Sequence, residues 1–284
     1  MEQKKPLYHT HLEPKTGWFD IDLREVWRYR DLIWLFTKKN FIVMYKQTIL
    51  GPLWLILQPL MTTLIHTLVF GGIAGISTDG VPQFLFHMAG NSVWGFFASC
   101  LTRTSSTFTG NAGIFGKVYF PRLVSPISSV LSAAVNFGIQ LAMFLAFWAY
   151  YVITGQVDPN YTGILMLPVV LAYLGLLGLG FGIIISSLTT KYRDLTMLVG
   201  FGVQLWMYIS PVVYPVSTLG NGGLSVLVRL NPVTCAVETF RWAFLGQGAF
   251  EPLYWGISAA VMAVVVFFGV IIFSRVEKTF MDTV

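Results

Sequence analysis

The chain has 284 residues, of which 55% are hydrophobic and 11% charged, with a formal net charge of +5. Soluble domains carry about a quarter charged residues, so a water-soluble globular fold is excluded. The two cysteines, Cys100 and Cys235, stand in different segments and define neither a disulfide framework nor a metal site.

Residues 1–21 are polar and read as a cytoplasmic tail. The first apolar run comes too late and is too long for a secretory leader, so none is expected. His9 and His11 lie in the tail, and two histidines alone do not make a metal site. Residues 22–46 are predicted to form an interfacial amphipathic helix. Asp22 and Glu25 have capping-box spacing. Leu23, Val26, Trp27, Ile33, Trp34, Phe41 and Met44 recur at helical spacing, with Arg24, Asp31, Lys38 and Lys39 on other faces. Such a helix lies in the headgroup layer. Its basic residues serve as a membrane-surface anchor in one reading. In the other, Arg28, Arg30 and Lys46 attract the phosphate of a lipid-linked molecule.

Six apolar stretches follow, at residues 50–75, 83–107, 126–154, 162–188, 196–214 and 253–274. Each is long enough to cross a bilayer, which takes about 20 residues. None contains Asp or Glu, so the carboxylate relays of ion-coupled transporters are missing. Pro52 suits a first helical turn, and Pro59 predicts a kink. His66 and His87 read as hydrogen-bonded structural histidines. Arg103, near the end of the second stretch, either snorkels to the headgroups or contacts substrate. The loop at 108–125 holds Gly116-Lys117, but Asn111 and Val118 stand where a phosphate loop needs Gly and Ser or Thr. Residues 225–246 divide at Asn231-Pro232 into two pieces too short to span, predicted as re-entrant helices from the outer face. Glu238 and Arg241, three apart, are positioned to pair.

Basic residues cluster before the first stretch and after the second, fourth and sixth. The positive-inside rule then puts both termini in the cytoplasm. The positive charge therefore reads as topology, not nucleic-acid binding. The predicted fold is all-α: six transmembrane helices over residues 50–274, an N-terminal interfacial helix, re-entrant helices before the last span, and a tail at 275–284.

Four segments, in order, resemble ABC-2 type permeases, and within them the polysaccharide-export branch for O-antigen, teichoic acid and capsule. The first is Tyr45-Lys46-Gln47-Thr48-Ile49-Leu50-Gly51-Pro52-Leu53-Trp54, continuing to Gln58-Pro59-Leu60. The second is Lys117-Val118-Tyr119-Phe120-Pro121-Arg122 with Pro126 and Ser128. The third joins Tyr192-Arg193-Asp194-Leu195 to Trp206-Met207-Tyr208-Ile209-Ser210-Pro211-Val212-Val213-Tyr214. The fourth is Asn231-Pro232 with Glu238, Phe240 and Arg241.

This resemblance implies a homodimer in the bacterial cytoplasmic membrane, with two copies of an ATPase partner that bind ATP and Mg, and no cofactor in this chain. It implies that Gly116, Lys117, Tyr119, Phe120, Pro121 and Arg122 form or flank the coupling helix that docks on the ATPase. It also implies export of a lipid-linked glycan. Leu123 departs from the pattern, which often has an acid there, so a salt bridge to the ATPase is not carried over. A sliding sugar polymer needs weak, repeated contacts, which aromatic faces provide. Trp54, Trp94, Phe96, Phe97, Tyr208 and Tyr214 are the path candidates; the other reading of each is lipid contact. Two alternatives remain. One is an ABC-2 exporter of a small hydrophobic drug or lipid. The other is an enzyme of polyprenyl phosphates, which would need clustered acids for magnesium, whereas Asp79, Asp158, Asp194 and Asp282 are isolated in the sequence.

Overall fold

Every regular element among the described residues is a helix. The computed structural model describes residues 23–283 apart from Gln47, Arg193 and Asn221. In chain order the helices are α1 (Leu23–Arg28), α2 (Arg30–Tyr45), α3 (Trp54–His66), α4 (Gln83–Ser105), α5 (Thr107–Phe115) and α6 (Val124–Ile153). They continue with α7 (Tyr161–Ile164), α8 (Leu167–Thr189), α9 (Leu195–Ile209), α10 (Gly223–Leu230), α11 (Pro232–Leu245) and α12 (Pro252–Thr283).

The helix predicted over residues 22–46 is two pieces in nearly continuous register. Tyr29 interrupts it, yet its N–H reaches Val26 O at 3.1 Å and its carbonyl accepts from Ile33 at 3.0 Å. Asp22, half of the predicted capping box, lies outside the described residues. Val26, Ile33 and Thr37 are buried while Trp27 and Trp34 are exposed. Helix α2 packs along α6, where Thr37 Oγ1 donates to Ile33 O at 2.8 Å and reaches Ser128 O at 3.4 Å.

Among the described residues, four segments are long and apolar enough to cross a membrane: Gly51–Ile73, Val124–Ile153, Leu167–Thr189 and Pro252–Glu277. Two other predicted stretches differ, for opposite reasons. Helix α4 has the length, 23 residues, but carries His87, Asn91 and Arg103. It packs against α3, α6, α8, α9 and α11, so protein rather than lipid surrounds most of it. Helix α9 is apolar but stops at Ile209, after 15 residues or about 22 Å. Ser210 precedes Pro211 and is extended, which ends the helix there. Helix α3 accommodates Pro59 and passes into a π-helical stretch at Thr67–Ile73.

Helix α8 lies between α4 and α12. A Cβ at Gly178 would sit 2.6 Å from Cys100 Cβ on α4, and one at Gly269 on α12 would sit 2.9 Å from Gly180 O. Small residues at these crossings let the backbones approach closely, which is how helices associate where no hydrophobic driving force separates protein from lipid.

Two findings correct the predicted boundaries. Residues 108–125 are not a plain polar loop, because α5 occupies their first part. Phe108 and Phe115 are buried there in a second apolar cluster with Phe120, Leu179, Ile183 and Phe273. The rings of Phe108 and Phe273 stack at 4.6 Å. Residues 275–283, read as a tail, continue α12.

Gly178→Leu is expected to overpack the α4–α8 crossing and lower stability by about 1–3 kcal/mol. Gly138→Ala, at a helical site with nothing within 4 Å, should be neutral or slightly stabilising. Thermal unfolding in detergent distinguishes the two.

Candidate functional site

The polar anchor of the structure is Arg241 on α11, which is 1% exposed. Its Nη1 donates to Pro211 O at 2.6 Å and to Glu238 Oε1 at 3.4 Å, and its Nη2 donates to Val212 O at 2.6 Å. Its guanidinium lies over the Phe86 ring of α4 at 3.7 Å. The predicted Glu238–Arg241 pair therefore forms, but the pair is the smaller part of the site. Arg241 mainly satisfies the carbonyls left without helical partners after α9 ends. Gly90 makes room, since a Cβ there would collide with Val212 O and lie 2.8 Å from Nη2.

Asn231 is a second junction. Its Oδ1 accepts from Val233 N and from Trp206 Nε1, both at 3.1 Å, and its Nδ2 donates to Ser210 Oγ at 2.8 Å. As predicted, Asn231 caps α11 and Pro232 occupies the first turn. Sequence reasoning missed that the same amide holds the end of α9. It also missed Trp206, whose only signal was membership of the Trp206–Tyr214 segment.

The six aromatic path candidates do not share one surface. Trp94 and Phe97 are buried, with ring centroids 6.4 and 5.1 Å from Trp206. They hold the indole that bonds Asn231. Tyr214 places its hydroxyl 3.2 Å from Ile209 O, at the end of α9. Tyr208 is 46% exposed. Trp54 and Phe96 line one cavity of about 480 Å³ between α3, α4 and α6.

At the opposite end of the bundle, Gly116, Lys117, Val118 and Tyr119 form an exposed tip, and Phe120 turns inward. Phe120 packs edge-on to Phe36 of α2 at 5.6 Å and against Phe115 at 5.7 Å. Pro121 is half-buried. Arg122 donates from Nη1 to the Glu277 carbonyl and from its backbone N–H to Glu277 Oε1 at 3.4 Å. Burial lowers the pKa of the Arg122 guanidinium from its ordinary value, and the Glu277 charge opposes that. Leu123 is buried in the same apolar cluster, which explains why an acid would be costly at that position in this chain. Arg28, Arg30 and Lys46 are exposed on α1, α2 and just beyond α2.

The ABC-2 type transporter family model matches residues 31–245. That is most of the chain, and the protein belongs to this family of multi-pass transport permeases. Two relatives from Klebsiella pneumoniae, both named O-antigen export system permease protein RfbA, are each 27% identical to this chain. Their matches cover 89% of this chain and 94% of each relative. A Myxococcus xanthus protein of the same name is 27% identical over 78% of this chain and 83% of its own length.

Arg241→Met takes the cation from the half-buried Glu238 and leaves the Pro211 and Val212 carbonyls unmatched, which should cost about 3–5 kcal/mol. Combining it with Glu238→Gln should recover part of that loss. Detergent-stable yield and unfolding temperature read both effects.

Proposed function

We propose that this chain is the membrane subunit of an ATP-driven exporter of a lipid-linked cell-surface polysaccharide of the O-antigen type. The observation that carries the reading is family membership together with near full-length similarity to relatives named O-antigen export permeases.

In this reading the chain crosses the bacterial cytoplasmic membrane six times with both termini inside. Helices α4 and α9 complete the set, because α4 is sheltered by its neighbours and α9 is extended by residues 210–214. Helices α10 and α11 dip in from the outer face, their broken backbone satisfied by Arg241 and Asn231. A second copy covers apolar faces left open here, such as Met61, Leu64 and Ile65 on α3 and Met197, Phe201 and Leu205 on α9.

Two ATPase subunits, which hold the ATP and Mg, dock on the tip at Gly116–Tyr119. Their closure pushes the tip. Arg122 passes that force to Glu277 and so to α12, while Phe120 passes it to α2. The exposed Arg28, Arg30 and Lys46 gather anionic lipid-linked glycan at the inner leaflet. Trp54 and Tyr208 offer exposed aromatic faces along the glycan's path.

The decisive experiment is mild-detergent purification from the native host with mass spectrometry, alongside deletion of the gene. A stoichiometric ATPase and loss of surface polysaccharide are expected. A chain that purifies alone under crosslinking, with surface glycan intact, would refute the reading. Replacing both Trp54 and Tyr208 with Ala should lower export by about three- to tenfold without preventing ATPase assembly. Surface glycan blots and copurification measure the two separately. Tyr119→Ala should weaken coupling, seen as ATP hydrolysis that glycan no longer stimulates.

A further inference from the structure

The cavity between α3, α4 and α6 combines an unusual set of side chains for a membrane domain. Each helix contributes one polar stripe at helical spacing. Gln58 and Thr62 come from α3; Asn91, Ser99, Thr102 and Arg103 from α4; Asn136 and Gln140 from α6. Trp54, Phe96 and Phe137 give it aromatic walls. Arg103 is the only cation among the described residues that line it, and its Nε donates to Ser99 Oγ at 3.1 Å. It stands in the last turn of α4, at the end of the bundle where α5 and α2 lie. The far end is tied by Asn91, whose Nδ2 donates to Thr63 Oγ1 at 3.3 Å and whose Oδ1 lies 3.0 Å from His66 Nδ1.

We propose that this cleft, within one subunit, seats the phosphate and first sugar of a lipid-borne sugar phosphate. This rests on the export reading above. The guanidinium suits phosphate oxygens. Amides and hydroxyls match sugar hydroxyls, and aromatic rings match sugar C–H faces. The volume, about 480 Å³, falls within the usual range of small-ligand sites.

A common phospholipid is the competing occupant, and depth decides against it. From Arg103 to Asn91 the stripe on α4 runs twelve residues, or about 18 Å into the bundle. An ordinary headgroup stays at the surface and has no use for amides at that depth. Polar groups inside a membrane domain are costly and mark a pathway.

The test measures binding to the purified transporter in nanodiscs. The probes are a polyprenyl-diphosphate-linked host glycan, bare polyprenyl phosphate, and phosphatidylglycerol. Arg103→Gln should weaken the first two probes about tenfold, and Arg103→Lys should stay within about threefold of wild type. Gln58→Leu combined with Gln140→Leu should weaken only the glycan-bearing probe. Equal loss of phosphatidylglycerol in Arg103→Gln, with no effect of the amide changes, would make the cleft a general anionic-lipid seat and overturn the proposal. So would wild-type binding in every variant. If Arg103→Gln does not fold, the amide pair decides: selective loss of the glycan-bearing probe supports the proposal, and wild-type binding or equal loss of all three probes overturns it. Wild-type protein that binds no glycan-bearing probe would sink the export reading itself.

Discussion

Polar groups buried in the helical bundle must find partners inside the protein, and this constraint governs the architecture. The chain breaks its helices twice in quick succession, after α9 and between α10 and α11. Each break frees carbonyls and N–H groups inside the bundle that need partners within the protein. Arg241 and Asn231 supply the missing partners from one element to the next. A guanidinium suits the first task because its rigid fork donates to several oxygens at once, and the Phe86 face covers its remaining surface. An asparagine suits the second because it both donates and accepts.

The same constraint explains why α4 differs from its neighbours. It is the helix that the others surround, so His87 is buried in protein, while Asn91 and Arg103 face the cleft between α3, α4 and α6. Small residues at its crossing with α8 bring the backbones close, and dispersion contacts then hold the pair. Around this centre, α3 and α9 remain open on one side. Apart from Gln58, Thr196 and Gln204, their exposed side chains are apolar, as expected of surfaces that face lipid or another copy.

The basic end of the bundle is organised by a different interaction. Phe108, Phe115, Phe120 and Phe273 bring α5, the exposed tip and α12 into one cluster, and Arg122 fastens the tip to Glu277. A force applied to the tip therefore reaches the long last helix through side chains already in contact. An isolated flexible loop would dissipate it.

Much of this was readable in the chain. Hydrophobic length identified four of the spans by composition alone. Asn231-Pro232 announced a break and a new helix start, and the i,i+3 spacing of Glu238 and Arg241 predicted their pairing. These features are local, and local spacing is what a sequence displays. Other features were readable but overlooked: Phe108, Ala112 and Phe115 carry the helical period of α5, and Ser210-Pro211 marks the end of α9. What the sequence could not display were the partners of each side chain across the bundle. Trp94 and Phe97 look like path residues in isolation, yet they pack on Trp206. Gln58, Asn91, Arg103 and Gln140 look like scattered polar exceptions, yet three helices bring them into one cleft. The chain thus determined its elements, its membrane character and its breaks. Only the tertiary structure decided which residues meet, because contacts between segments depend on how the helices cross and not on distance along the chain.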